Sequence, residues 1–308
     1  MNEAKYREAE SKLWNDFGIQ PDEKMCTLTS TGTKVRVQII GDGPPVLFIH
    51  GGPNAGSTWA PIVDAFSGYT CLLVDRPGTG LSEPLSEVPN IGEFVRFADL
   101  FVSEVLDGMN LDRADVVASS LGGYIALRSA AMTPNRLGRM VQMACPAFAP
   151  GMLTPPFMNL LRRRWFRAFT GIFPPNPRIS DGILRQLGHG ESLDVGRIPQ
   201  SFKDWYLDLQ QYTDTSRNDG NLIGEFSSRN GWDERLAITN ELLSSVETPT
   251  LFLWGADDGF GGLEVAKMTV APIQNALLEM IDGSGHLPWL DFPADIGKRT
   301  RAFLDDRR

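Results

Sequence analysis

The stretch DVVASSLGGYIAL, residues 115–127, begins as an apolar run and continues into a pattern typical of a helix. Two serines and two adjacent glycines, Ser119, Ser120, Gly122 and Gly123, lie at the junction. Glycine permits close backbone approaches and tight turns that a Cβ atom would obstruct. The stretch therefore predicts a strand that ends in a sharp turn into a helix, with a serine hydroxyl at the turn.

This turn matches the Gly-x-Ser-x-Gly pattern of a nucleophile elbow with one departure. The frame that fits is Ala118-Ser119-Ser120-Leu121-Gly122, in which alanine replaces the first glycine. A methyl group is the smallest possible addition at that crowded position. We predict that Ser120 is a nucleophile, and the simpler alternative is a polar residue beside two flexible glycines.

Short apolar runs recur on both sides of this turn, and most are separated by helix-like stretches such as 91–109 and 122–132. Strands that alternate with helices pair in parallel, and helices cover both faces of the resulting sheet. A hairpin is predicted in residues 25–40 and an amphipathic helix in residues 4–17. The predicted central strands lie in residues 44–50, 70–75, 115–120, 139–145, 248–254 and 275–281.

One long segment interrupts this alternation. Residues 147–245 contain no comparable buried strand and are aromatic and helix-like, with proline breaks. An insertion of this kind predicts a helical cap over the carboxyl ends of the sheet. We predict an α/β fold with an N-terminal helical extension (1–24), a core (25–146 and 246–308) and a helical cap (147–245).

The composition of the 308-residue chain, 42% hydrophobic and 22% charged, is typical of a soluble globular protein. Its formal net charge of −9 disfavours nucleic acid or an anionic membrane as the main partner, because both attract basic surfaces. The N-terminal residues lack the apolar core of a signal peptide, and no long apolar window predicts a membrane helix. We expect a cytoplasmic protein without a membrane partner, and its oligomeric state stays open.

Three cysteines, Cys26, Cys71 and Cys145, lie far apart in the chain. Their number and spacing fit reduced thiols and offer no metal-ligand pattern. Cys71 and Cys145 lie in apolar strand-like runs, which favours a buried structural role over a reactive one. We predict neither a metal nor a cofactor.

Ligands of open parallel sheets bind beyond the carboxyl ends of the strands, so the loops there are the candidate site. His50-Gly51-Gly52-Pro53 follows the first central strand, and its backbone N–H groups are candidates to receive an oxyanion. An ordinary Gly-Pro turn is the simpler alternative. The turn DRPGTGLSEP, residues 75–84, lacks the lysine of a P-loop, and we assign Asp75 a structural role in it.

A serine nucleophile needs a histidine base oriented by a carboxylate. Of the three histidines, His50 is expected to brace its turn, and His189 lies in the predicted cap. His286 directly follows the last predicted strand, which favours it as the base. Asp257 and Asp258 follow the preceding strand, so the chain order is serine, aspartate, histidine.

From about residue 25 to 306, these motifs resemble the α/β-hydrolase superfamily. The resembling pieces are the loop 50–53, the turn 75–82, the elbow 119–123, the segment 255–258 and Gly285-His286. The resemblance implies a triad of Ser120, Asp258 and His286, with Asp258 favoured over Asp257 as the third residue after Gly255. It also implies an oxyanion hole formed by the N–H groups of Gly52 and Leu121.

The resemblance narrows the reaction without choosing one substrate. Haloalkane dehalogenases and epoxide hydrolases carry aspartate at the elbow, where this chain has Ser120, and proline iminopeptidases typically carry tryptophan where it has Leu121. We favour hydrolysis of a small-molecule ester or lactone. Carbon–carbon bond hydrolysis of a diketone, a hydrolase-fold binding protein and acyl transfer to another alcohol are the alternatives.

Two sets of side chains, all but Trp289 in the predicted cap region, have a structural alternative to a role in the site. The run Arg162, Arg163, Arg164 and Arg167 is expected to form a solvated helix face. The large aromatic residues fit an acyl pocket and a hydrophobic core equally well, and they are Phe157, Trp165, Phe166, Trp205, Tyr206 and Trp289.

Overall fold

The structure is a computed structural model that describes residues 1–170, 176–228 and 231–306. Its strands form one sheet in the order β1-β2-β4-β3-β5-β6-β7-β8. The β1–β2 and β2–β4 pairs are antiparallel and all other pairs are parallel. The strands are β1 Asp22–Thr27, β2 Lys34–Ile40, β3 Pro45–Ile49, β4 Thr70–Val74, β5 Ala114–Ser119, β6 Leu137–Met143, β7 Thr250–Gly255 and β8 Ala276–Ile281.

The central strands are apolar throughout because helices cover both faces of the sheet. Along β3, Val46 and Phe48 pack into one hydrophobic cluster, while Leu47 and Ile49 pack into the other. Period-two alternation across a sheet buried on both faces explains why this strand reads as a continuous apolar run. The predicted hairpin, the six central strands and the mostly parallel sheet are confirmed.

Helices α2 and α3 pack against each other on one face, and α12 and α13 contribute to the cluster on the other face. A capping box between Asn90 and Glu93 begins α2. The helices outside the insertion are α1 Glu3–Asp16, α2 Ile91–Gly108, α3 Ser120–Met132, α11 Leu263–Val270, α12 Pro288–Asp291 and α13 Pro293–Asp305.

Helices fill most of the described part of the segment between β6 and β7, which we call the insertion (residues 147–245). Its last helix, α10, packs on α3 of the core, while α8 packs on α1. The division of the chain at 147 and 245 stays a prediction. The helices are α4 Pro156–Leu161, α5 Arg164–Thr170, α6 Pro177–Gln186, α7 Gly190–Asp194, α8 Gln200–Tyr212, α9 Thr215–Glu225 and α10 Asn240–Ser244.

Helix α1 is held to the core by a buried charge pair. Glu10 Oε2 lies 2.5 Å from Arg36 Nη2, and the hydroxyl of Ser57 donates to Glu10 Oε1 at 2.6 Å. Tyr6 and Leu13 are fully buried on the same helix. The N-terminal helix thus packs against both the core and α8 of the insertion.

None of the helices in the described ranges combines the length and apolar character needed to cross a bilayer. Cys26, Cys71 and Cys145 are buried free thiols, which agrees with the burial predicted for Cys71 and Cys145.

Candidate active site

Ser120 lies at the junction of β5 and α3 in a strained backbone conformation. Its φ of +53° is left-handed, which costs a residue with a Cβ atom about 1–2 kcal/mol. The turn closes tightly on the loop after β3, because a Cβ atom on Gly51 would lie 2.7 Å from Ser120 Cβ and 3.2 Å from its Oγ. Gly122 is equally confined, since an added Cβ there would collide with the carbonyl oxygen of Ile49.

The alanine that departs from the elbow pattern is accommodated inside the sheet. Ala118 is fully buried and is in register with Ile49 of β3 and Gln142 of β6. Its methyl group belongs to the hydrophobic cluster on one face of the sheet. The departure therefore leaves the turn at Ser120 intact.

The histidine and aspartate predicted to serve Ser120 are in direct contact. His286 Nδ1 lies 2.9 Å from Asp258 Oδ2 and 3.0 Å from Oδ1. The carboxylate also accepts hydrogen bonds from the backbone N–H groups of Cys145 (3.0 Å) and Phe260 (2.9 Å). Asp257, in contrast, is exposed. The structure thus places Asp258, and not its neighbour, against the imidazole.

This contact determines the tautomer of His286. A carboxylate that accepts from Nδ1–H leaves Nε2 of the neutral ring free to accept a proton. His286 Nε2 is buried without a hydrogen-bond partner among the described residues. Ser120 and His286 both line the same cavity. The imidazole can therefore act as a base toward a group bound there.

The loop after β3 is held by His50 and Arg76. His50 Nδ1 lies 2.6 Å from the Gly51 carbonyl oxygen, and the backbone N–H of Arg76 donates to Nε2 at 3.2 Å. Burial and the neighbouring Arg76 charge keep the pKa of His50 well below its usual range. His50 is therefore a neutral brace of its turn, and its ring nitrogens are both occupied.

Arg76 and Asp219 are functional candidates that sequence reasoning missed. The Arg76 guanidinium donates to the carbonyl oxygens of His50 (3.1 Å) and Gly51 (3.0 Å) and to Asp219 Oδ2 (2.8 Å). Asp219 lies on α9 of the insertion, and its carboxylate abuts Gly52, where a Cβ atom would lie 2.5 Å from Oδ2. Arg76 lay in a quoted motif, but no local pattern indicated its partner 143 residues away.

Asp75 has a structural role that extends beyond its own turn. Its carboxylate accepts from the N–H of Leu81 within the turn (3.0 Å) and from the N–H of Gly56 in the preceding loop (2.7 Å). Arg36 Nη1 lies 3.5 Å away on β2. Burial raises the pKa of Asp75 to about 6. Asp75 joins two loops and a strand and does not line the cavity.

The cavity over Ser120 is mainly apolar and is shared between the core loops and the insertion. Gly52 and Leu121, the predicted oxyanion donors, line it together with Ser120 and His286. The lysine and acidic side chains in its described lining are Lys203 and Asp219. Apolar lining residues from the insertion include Phe157, Met158, Leu161, Ile183, Leu222 and Phe226. The insertion therefore covers the candidate nucleophile.

The aromatic side chains considered for an acyl pocket lie in different environments. Phe157 and Tyr206 line the cavity. Trp205 and Trp289 are buried in the hydrophobic core, while Trp165 is 67% exposed. Phe166 is half-buried and packs edge-on against Trp165.

The arginine run is a solvated face only in part. Arg163 and Arg164 are exposed as expected. Arg162, however, donates to the carbonyl oxygens of Ser228 (2.9 Å) and Gly231 (2.6 Å) and lies over the Trp232 ring. Arg167 donates to the carbonyl oxygens of Leu161 and Arg162. The expectation is wrong for these two because Arg162 satisfies carbonyls in the segment after α9 and Arg167 satisfies carbonyls at the end of α4.

Cys145 also borders the cavity but is poorly suited to act as a nucleophile. Burial, with the nearby Asp258 carboxylate, raises the pKa of its thiol well above the usual value. The thiolate, which is the reactive form, is therefore disfavoured. Its backbone N–H serves the site instead, through Asp258.

Comparison with known proteins agrees with this architecture. A 2-hydroxy-6-oxononadienedioate/2-hydroxy-6-oxononatrienedioate hydrolase of Cupriavidus pinatubonensis is 25% identical over 269 residues, covering 85% of this chain and 83% of that protein. Naproxen esterase (carboxylesterase NP) of Bacillus subtilis matches at a TM-score of 0.77, with 17% identity and 98% of both chains covered. A meta-cleavage product hydrolase of Pseudomonas fluorescens matches at 0.71, with 18% identity, covering 92% of this chain and 98% of that one. The profile of the α/β hydrolase fold matches residues 44–293, and the chain belongs to that family of hydrolases.

Proposed function

We propose that the protein is a serine hydrolase that cleaves a carboxylic ester or lactone of a small to medium apolar molecule. The observation that carries the proposal concerns the buried His286 Nε2, which has no hydrogen-bond partner within the described ranges. His286 lines the same apolar cavity as the strained Ser120. A serine nucleophile needs a base that can take its proton, and Ser120 and His286 line one cavity.

In the proposed reaction, Ser120 Oγ attacks the substrate carbonyl carbon while His286 Nε2 takes the hydroxyl proton. The carbonyl electron pair moves onto oxygen, and the N–H groups of Gly52 and Leu121 stabilise that charge by about 3 kcal/mol per donor. Asp258 orients the imidazole and stabilises its protonated form. The His286 proton then passes to the leaving alcohol as its bond to carbon breaks.

Water completes the cycle. His286 removes a proton from a water molecule that attacks the acyl-enzyme, and the same proton returns to Ser120 Oγ when the carboxylic acid departs. The fate of the acyl group depends on the alcohol or water that enters the cavity.

Cavity charge favours an ester over an anionic diketone. Lys203 Nζ lies 3.5 Å from Asp181, and Asp219 is paired with Arg76 at 2.8 Å. The described lining thus holds no cation that is free to pair with a substrate carboxylate. A neutral apolar acyl group fits this lining better, because burying an unpaired carboxylate there is costly.

Carbon–carbon bond hydrolysis is the second candidate. A specific observation favours it, since the relative from Cupriavidus pinatubonensis is named for a dienedioate substrate and aligns with 85% of this chain. That substrate carries two carboxylates, so its turnover here would require Lys203 to bind a substrate carboxylate in addition to Asp181.

The test is intact-mass labelling with a fluorophosphonate, followed by turnover of p-nitrophenyl esters of increasing acyl length and of a vinylogous diketone. We expect one adduct on the wild type and on the matched control Ser119→Ala, and none on Ser120→Ala. Ester turnover should parallel labelling. Diketone turnover without ester turnover would replace the ester with the second candidate. Tight ligand binding without an adduct or turnover would indicate a binding protein.

A further inference from the structure

A second buried histidine–aspartate pair lies beside the loop that carries His286. His189 Nδ1 is 2.9 Å from Asp291 Oδ2 and 3.0 Å from Oδ1, and both side chains are fully buried. His189 immediately precedes α7 of the insertion, whereas Asp291 ends α12 in the core. The pair therefore connects the two parts of the molecule without lining the cavity.

The pair binds the backbone on both sides of His286. Leu287 N–H donates to His189 Nε2 at 3.1 Å, and Gly285 N–H donates to Asp291 Oδ2 at 2.9 Å. Because Nε2 accepts, the proton of the neutral ring lies on Nδ1 and is donated to Asp291. The residues before and after His286 are thus fixed by one hydrogen-bonded unit.

The adjoining backbone of the insertion completes this attachment. His286 N–H donates to the Leu187 carbonyl oxygen at 2.9 Å. Gly188 has a φ of +96°, and a Cβ atom there would collide with the Asp257 carbonyl oxygen and lie 2.9 Å from Gly285 Cα. Residues 187–189 therefore touch both the loop before Asp258 and the loop of His286.

We propose that His189 is a positioning residue that sets the orientation of His286 through Leu287 N–H. This inference rests on the proposed function of His286 as the base. A rotation or shift of the imidazole by a fraction of an ångström weakens proton transfer because the reacting atoms must be aligned. The insertion thereby acts on the chemistry in addition to covering the cavity.

Two near-isosteric variants separate the bonds of His189. His189→Gln keeps an acceptor near the Nε2 position for Leu287 N–H, whereas His189→Asn keeps only a donor near Nδ1 for Asp291. Outer hydrogen bonds of this kind typically change activity by about 10–100-fold. We expect kcat for p-nitrophenyl acetate to fall by about that factor in H189N with KM nearly unchanged, and H189Q to stay within about threefold of wild type.

The controls address folding and turnover separately. Asp194 on α7 forms an exposed pair with Arg185 on α6, and Asp194→Asn is expected to leave kcat unchanged. If H189N does not fold, Asp291→Asn serves in its place. The neutral amide is a weaker acceptor than the carboxylate, so the hydrogen bonds from His189 Nδ1–H and Gly285 N–H both weaken. We expect the same loss of kcat.

A measurement that needs no turnover distinguishes this inference from the proposed function. The proton NMR signal of His286 Nδ1–H, assigned with His286→Gln, is expected to shift or broaden in H189N but not in H189Q. An unchanged signal and kcat in H189N would overturn the inference, and so would equal losses in H189Q and H189N. If the wild type carries no fluorophosphonate adduct, the proposed function fails while the NMR comparison still decides the positioning role.

Discussion

The two buried histidine–aspartate pairs have the same internal geometry but different surroundings. Both imidazoles place Nδ1 2.9 and 3.0 Å from the two oxygens of a carboxylate. They differ at Nε2, which accepts from Leu287 N–H in His189 but finds no partner in His286 among the residues that the structure describes. The contact of the far nitrogen, rather than the pair itself, therefore decides whether the imidazole is available as a base.

Replacing each aspartate by asparagine is the change that should separate the pairs most strongly. In Asp258→Asn, the amide favours the wrong tautomer of His286 and leaves Nε2 protonated, so we expect kcat to fall by about 10⁴-fold. In Asp291→Asn, the loss is indirect and is expected to be about 10–100-fold. Esterase kinetics of the two purified variants provide the measurement. Equal losses of kcat would contradict this distinction, since both pairs would then serve the reaction directly.

The next largest effect is expected where the backbone of the insertion contacts the loop that carries His286. Gly188→Ala combines a positive φ with a collision against Asp257, so we expect destabilisation of about 2 kcal/mol or more, together with lower kcat. Gly182, on α6 of the same insertion, has open space around a potential Cβ atom, and Gly182→Ala should stabilise by up to about 1 kcal/mol. Urea denaturation and ester kinetics test both variants. A Gly188→Ala protein as stable as wild type would contradict the packing argument.

His50 is a third buried histidine whose Nε2 accepts from a backbone N–H, and we expect it to make the free energy of unfolding depend on pH. Its pKa is lowered in the folded protein by burial and by Arg76, so the unfolded chain binds the proton more readily. The free energy of unfolding should therefore fall as pH decreases below about 6.5, by about 1.4 kcal/mol per pH unit from this group. His50→Gln, which keeps an acceptor for Arg76 N–H, should remove that slope. An unchanged slope in urea melts from pH 7 to 5 would contradict the assignment.

The outline of the site was accessible from sequence because its signals are local. Each of the apolar runs that form β3, β5 and β7 is contiguous, and Gly122 and Gly123 lie within a few residues of Ser120. Chain order then placed Asp258 and His286 after later strands, and parallel pairing brings the carboxyl ends of such strands to one edge of the sheet.

Side-chain partners from distant segments were not accessible in this way. Arg162 and Arg167 were expected to face solvent, yet both donate to backbone carbonyls. Arg76 meets Asp219 across 143 residues, and His189 meets Asp291 across 102. No periodicity or motif connects residues so far apart. Ion pairs and imidazole contacts also depend on positions accurate to a few tenths of an ångström.

Local sequence patterns predicted the succession of strands and helices along the chain, the sharp turn at Ser120 and the few acids and bases that could serve it. These follow from hydrophobic period, glycine placement and residue order, which act over short stretches of chain. Three features required the folded structure. Asp258 faces His286, and His189 braces the loop that carries it. Phe157 and Tyr206 border the cavity, whereas Trp205 and Trp289 fill the core. These features depend on how the insertion packs on the sheet. That packing is determined jointly by many closely packed side chains.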